Sequence, residues 1–196
     1  GNESTTSYAN ALAPLFCFSL VNALETGTED MPTMGVALDR DNPERPAWVK
    51  AIAVEIGNMD KNNVYSIVDT PAGVRVIRSK IVLKRKRGKD GKISKYKARL
   101  VALGFLQVPG IDYGETFAGV GRFESLRTLL AIAVNLLRTH KIIQYDIEAA
   151  FLMATMDKVL HMHPPKGFPV QLKPGQSLLL HKSIYGCKQS PSLFWK

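Results

Sequence analysis

Apolar residues in this chain recur first at helical and then at strand spacing. After Pro43 and Pro46, Trp48, Ala51, Ile52, Ile56 and Met59 return every three or four positions, with Glu55 among them. That spacing predicts a helix with one buried face, opened where a proline is tolerated and ended by Asn62-Asn63. Val64-Tyr65-Ser66-Ile67-Val68 then reads as a strand, closed by the turn Asp69-Thr70-Pro71-Ala72-Gly73. Val74 to Arg87 and Lys92 to Leu103 are two β-rich runs joined by Gly88-Lys89-Asp90-Gly91, whose Asp-Gly step supplies the positive φ angles of a tight hairpin turn. Ile93, Lys95, Lys97, Arg99 and Val101 share one face by period two, which predicts a long basic hairpin rather than a core hairpin.

The second half is read the same way. Leu126, Leu129, Leu130, Ala133, Val134 and Leu137 form the apolar face of an amphipathic helix, with Arg138 and His140 favouring its C-terminal dipole. Ile142 to Asp146 reads as a short buried strand that runs into an apolar helical segment ending near Met156. Val159–Met162 and Ser177–Lys182 suggest two further strands, and Ser190-Pro191 a helix start. Residues 1–40 show neither period and are expected to form a poorly ordered leader or linker, with the folded domain over 41–196. The apolar stretch Ala11 to Val21 lacks the basic flank of a signal peptide and reads as a linker patch or partner-binding segment.

Charge sharpens this picture. The net charge of +9 is concentrated, since eleven of the 26 Lys and Arg residues stand between Arg78 and Arg99 with a single acid, Asp90. Residues 1–45 carry seven acids against Arg40 and Arg45. A basic field that dense points to a polyanion, and Lys84, Arg85, Lys86 and Arg87 are its candidate nucleic-acid contacts. At 196 residues and 45% apolar, the chain is long enough for one domain with a real core. No apolar run is long enough to span a membrane. Cys17 and Cys187 give neither a zinc spacing nor a disulfide framework, which fits a reducing, intracellular setting.

Among acids, Asp146 stands out. An ionised carboxylate at the end of an apolar run is costly unless a cation or donor compensates it. It is therefore either a metal ligand or a cap of the next helix. Glu148 reads as a solvated acid. His161 and His163 share a strand face, but no third ligand accompanies them, and they read as surface-strand residues.

Several segments together resemble the reverse transcriptase of copia-type LTR retrotransposons. They are Tyr96-Lys97-Ala98-Arg99-Leu100-Val101-Ala102 with Gly104-Phe105 and Gln107; Gly110 to Ala118; the stretch around Asp146; Pro165-Lys166-Gly167-Phe168; and Lys182 to Pro191. Their order and spacing match over about Trp48 to Trp195. The resemblance implies an α+β fold, the fingers and partial palm of a right-handed polymerase, with an antiparallel sheet and packed helices. It implies that Asp146 is the first of three aspartates holding two Mg²⁺ ions (Mn²⁺ being an alternative), with the Ile147 carbonyl as a further ligand. Such ions, about 3.5–4 Å apart, act on the attacking and leaving oxygens of a displacement. Phe151 falls where the family sets a ring under the incoming sugar, although a plain core Phe fits the spacing equally. Lys97 and Arg99 fall in the strand that grips the triphosphate, either one making the contact. Tyr185, Gly186, Gln189 and Ser190 match the motif beside nucleotide and template.

The implied partners are an RNA or DNA template-primer, a deoxynucleoside triphosphate and the rest of a retrotransposon polyprotein, in a cytoplasmic virus-like particle or the nucleus. The chain departs from the family at Leu103, Gly119, Met153-Ala154, His161 and Cys187, none of which removes a group needed for chemistry. Gly1 in place of Met, and Lys196 directly after Phe194-Trp195, suggest a piece of a longer chain. The family's adjacent-aspartate motif is expected downstream, and no Asp-Asp pair occurs in this sequence. RNA-directed DNA polymerisation is thus the family activity, with this chain inactive on its own; the alternative is a non-catalytic nucleic-acid-binding relic or domesticated fingers module.

Overall fold

A computed structural model describes residues 30–119, 121–136, 141–143 and 145–196. They fall in two compact units, the larger within 26–117 and 149–196 and the smaller with its described part in 118–148.

The larger unit is built on one long helix, two short ones and a five-stranded sheet. Helix α1 spans Met34–Ala37 and α2 spans Arg45–Lys61, with a proline in its first turn. Trp48, Ile52, Ile56 and Met59 are the buried stripe of α2, as their spacing predicts. The strands are β1 Tyr65–Asp69, β2 Val76–Arg87, β3 Ile93–Ala102, β4 His161–His163 and β5 Gln176–Leu180, in the order β1-β5-β4-β2-β3. The first residues of β2, Val76 to Arg78, pair with β4, and Ser79 to Arg87 pair with β3. A last short helix, here α4, covers Ser190–Trp195.

Four expectations are corrected in the larger unit. The sheet is mixed rather than antiparallel, because β2 and β4 run parallel. A long crossover joins those strands, so no tight turn forces them antiparallel. The hairpin is also a core element: Ile77 and Leu83 on β2 and Ala98, Leu100 and Ala102 on β3 are all buried. Period two gives a strand two faces, and the apolar even-numbered residues of β3 are as regular as the basic odd-numbered ones. Within the expected leader, Thr33 caps α1 through its hydroxyl and Ala37 is fully buried. Four helical residues carry too short a pattern to be read as periodic; residues 1–29, including Ala11 to Val21, lie outside the described residues. Finally, the helical segment expected up to Met156 is a single 3₁₀ turn, Ala150–Met153, entered through Ala149 with φ of 53°.

In the smaller unit, helix α3 runs over Phe123–Leu136 and buries none of its residues. None of the described residues of the strand expected at Ile142 to Asp146 is in a strand. Ile142, Ile143 and Tyr145 are 57%, 58% and 67% exposed. An apolar run becomes a strand only where another backbone takes up its hydrogen bonds, and composition does not supply that partner. Residues 137–140 and Gln144 lie outside the described residues.

Candidate nucleotide and nucleic-acid interface

Register gives the hairpin its electrostatics. Lys84 lies opposite Lys97, and Lys86 opposite Lys95, with Val82 opposite Arg99 and Lys80 opposite Val101. Directly opposed residues share a face, so Lys80, Lys84, Lys86, Lys95, Lys97 and Arg99 form one basic surface. Like charges placed opposite one another destabilise a strand pair. Lys97 registers the strain: partial burial holds its ammonium below the ordinary lysine range, and Arg99, Lys86 and Lys95 push it lower, against the pull of Glu55. A row of phosphates would relieve that repulsion.

Arg85 and Arg87 point the other way. Arg85 donates from Nε to Glu44 Oε2 at 2.9 Å, and its guanidinium lies 5.5 Å from the ring centre of Trp48. Trp48 in turn meets Tyr96 edge-on at 4.7 Å. Arg87 donates to Asp30 and to the Gly91 carbonyl. Both carboxyls are held below the usual carboxylate range, first of all by the arginine hydrogen bonds. The run Lys84 to Arg87 is therefore two surfaces, one open to a ligand and one whose arginines are already paired with Glu44 and Asp30.

At the far end of the basic face, three distant segments meet. The Arg99 guanidinium lies 4.9 Å from the ring centre of Tyr185, a cation–π distance. Tyr185 meets Phe151 at 4.9 Å and 70°, and Phe151 meets Phe194 at 6.2 Å. Phe151 is mostly buried and its carbonyl accepts the Ser183 hydroxyl at 2.6 Å. Arg99, Tyr185 and Phe151 are thus brought together, with Lys97 two residues along the same strand.

The adjoining motif is packed inside. Gly186 has φ of +89°, and a Cβ there would collide with the Ala102 carbonyl, just as one on Gly104 would collide with the Gly186 carbonyl. Only glycines allow this crossing of two backbones. Gln189 is fully buried: its Nε2 donates to the Asp112 carbonyl at 3.0 Å and its Oε1 accepts from Gln107 Nε2 at 3.0 Å. The Ser190 hydroxyl donates to the Ile184 carbonyl at 2.6 Å. Gln189 and Ser190 therefore support the Tyr185 turn from within.

Sequence reasoning missed Glu55, Gln107 and Asp112. Glu55 accepts the Leu100 N–H at 3.0 Å; burial pushes its carboxyl up, against that hydrogen bond and the nearby Arg99 and Lys97. The available signal was an acid on the apolar stripe of a helix. Gln107 and Asp112, both buried, lie in segments that carry the resemblance, but spacing gave no sign that they would bond Gln189.

Asp146 and Ile147 are exposed and lie in irregular chain in the smaller unit. Among the described residues no group of three His, Cys, Asp or Glu side chains is placed to hold a metal ion. Two hard cations need several oxygen ligands, so the described residues do not by themselves fit a two-metal centre. Nor is any helix among them long and apolar enough to cross a membrane.

This mixed α/β unit, with a basic strand pair leading to an aromatic cradle, matches the family model for reverse transcriptase (RNA-dependent DNA polymerase) over residues 62–196. The chain belongs to that family, in its copia-type branch. It is 39% identical over 150 residues to the retrovirus-related Pol polyprotein from transposon TNT 1-94 of Nicotiana tabacum, covering 76% of this chain and 11% of that protein. It is 36% identical over 149 residues to the Pol polyprotein from transposon RE2 of Arabidopsis thaliana, covering 76% of this chain and 10% of the relative. To that from transposon RE1 of the same plant it is 33% identical over 192 residues, covering 97% of this chain and 13% of the relative. The chain spans about a tenth of the length of these curated relatives. No solved structure matches it.

Proposed function

We propose that this chain is the part of an RNA-directed DNA polymerase that grips template-primer and incoming nucleotide, corresponding to the fingers and the beginning of the palm of a right-handed polymerase. The observation that carries this reading is the meeting of Arg99, Tyr185 and Phe151 at the end of a six-residue basic face. Lys84, Lys86, Lys95 and Lys97 contact phosphates, and Arg99 neutralises the nucleotide's triphosphate. Tyr185 offers a flat surface, and the Phe151 ring restricts space beside the sugar 2′ position, favouring deoxynucleotides. Gly186, Gln189 and Ser190 hold that surface in place. The partners are template-primer, a deoxynucleoside triphosphate and the remainder of a retrotransposon polyprotein, in an intracellular particle or the nucleus.

Asp146 and the Ile147 carbonyl are this chain's contribution to a site for two Mg²⁺ ions, or Mn²⁺ in their place. One carboxylate does not hold both ions, so the 196-residue chain binds nucleic acid without extending a primer. Primer extension on poly-rA with Mg²⁺ tests this directly; robust incorporation by the chain alone would sink it. A purely nucleic-acid-binding role is the second reading, favoured by a basic face that is complete without Asp146. Asp146→Asn separates them when introduced into the longer polyprotein, where it abolishes extension under the first reading and changes nothing under the second.

A further inference from the structure

The outer edge of β3 is closed by two groups that are not strands. β3 is last in the sheet order, so the N–H groups on its outer edge have no neighbouring strand among the described residues. Leu100 nevertheless donates to Glu55 Oε1 at 3.0 Å, and Ala102 donates to the Tyr185 carbonyl at 2.8 Å. These two pins follow Arg99 directly, the first on the very next residue. The second pin is the very residue whose ring lies under the Arg99 guanidinium. Arg99 Nε is buried and finds no hydrogen-bond partner among the described residues. A buried donor is costly to leave unpaired, and no described acceptor reaches it here. Glu55 does not take that role: no ion pair joins it to Arg99 or Lys97 among the described residues, and its bond goes to backbone instead.

We infer that Glu55 is a positioning residue of the cradle: by closing the β3 edge at Leu100, it holds Arg99 over Tyr185 with the guanidinium presented to a phosphate oxygen. The inference rests on the reading of the cradle as a triphosphate site. The required property of Glu55 is a side-chain acceptor of the right length, which Gln shares and Ala or Met lacks.

The experiment uses the full chain with ¹⁵N-labelled arginine. The Arg99 Nε–H resonance is assigned by its loss in Arg99→Lys, and its ring-current shift by collapse in Tyr185→Leu. Glu55→Ala is expected to collapse the same shift and to weaken binding of the probe tripolyphosphate about tenfold. Glu55→Gln is expected to retain both. If Glu55→Ala does not fold, Glu55→Met keeps the side-chain length, removes the acceptor and is read in the same way. An unchanged Arg99 resonance in a folded Glu55→Ala or Glu55→Met chain overturns the inference, as does Glu55→Gln behaving like Glu55→Ala. If wild-type chain fails to bind tripolyphosphate while the Arg99 shift still follows Glu55, the triphosphate reading falls and the positioning role stands.

Discussion

The two faces of the β2–β3 hairpin both carry cations, and those cations behave in opposite ways. On one face, Lys84, Lys86, Lys95 and Lys97 oppose one another across the strands. On the other, Arg85 stacks on Trp48 and bonds Glu44, and Arg87 bonds Asp30. The first arrangement costs stability in the unliganded chain, and the second contributes to it. Charge density alone therefore does not define a binding surface; what matters is which cations the fold has already neutralised. Arginine suits the inner face because its planar fork bonds a carboxylate and stacks on a ring at once.

The comparison can be broken from the inner face first. Trp48→Ala removes a fully buried ring that supports both Arg85 and Tyr96. It is expected to cost about 3–5 kcal/mol in denaturant unfolding, enough to unfold a marginal domain. Gly186→Ala forces a Cβ against the Ala102 carbonyl and should cost about 1–3 kcal/mol. Preserved stability there would mean that the two backbones do not cross so closely.

Glu44→Ala should cost about 1 kcal/mol, a modest value because the pair is partly open to solvent. The Glu44 carboxyl is depressed in the folded state, first by its bond to Arg85. Its contribution is therefore present above the ordinary glutamate range and is lost as pH falls through the lowered value. The same titration in Glu44→Gln should lack that step. On the outer face the charged form is the unfavourable one, and stability changes with pH in the same direction for a different reason. Lys97 loses its proton more readily folded than unfolded, so stability rises with pH from the lowered folded value up to the ordinary lysine value. Correspondingly, Lys86→Ala should leave stability unchanged or raise it by about 0.2–1 kcal/mol. A clear loss would show that the lysine is engaged as the arginines are.

Much of this was legible in the sequence. The spacing of Trp48, Ile52, Ile56 and Met59 and the turn at Asp90-Gly91 carry their structure locally, and α2 and the hairpin formed where these placed them. Asp146 shows the limit. The apolar run before it needs a partner backbone from elsewhere, and nothing local reports whether one is available. The site was legible in part for a similar reason. Tyr185, Phe151 and Arg99 were found through a resemblance, whereas their meeting depends on the Gly104–Gly186 crossing, which has no local signature. The split between Lys84–Lys86 and Arg85–Arg87 needed only strand alternation, but identifying the engaged face required Glu44 and Asp30, 41 and 57 residues away.

The most direct test compares the salt dependence of template-primer binding in three chains. With an RNA–DNA duplex, wild type is expected to show log K falling steeply with log salt, by about 0.9 per phosphate contacted on a duplex. Lys84→Ala/Lys86→Ala/Lys97→Ala should lower that slope by about 3 while remaining folded, and Arg85→Ala should leave it unchanged while losing stability. Equal loss of slope in both variants, or no loss in the lysine variant, would contradict the assignment of the nucleic-acid contacts to the lysine face.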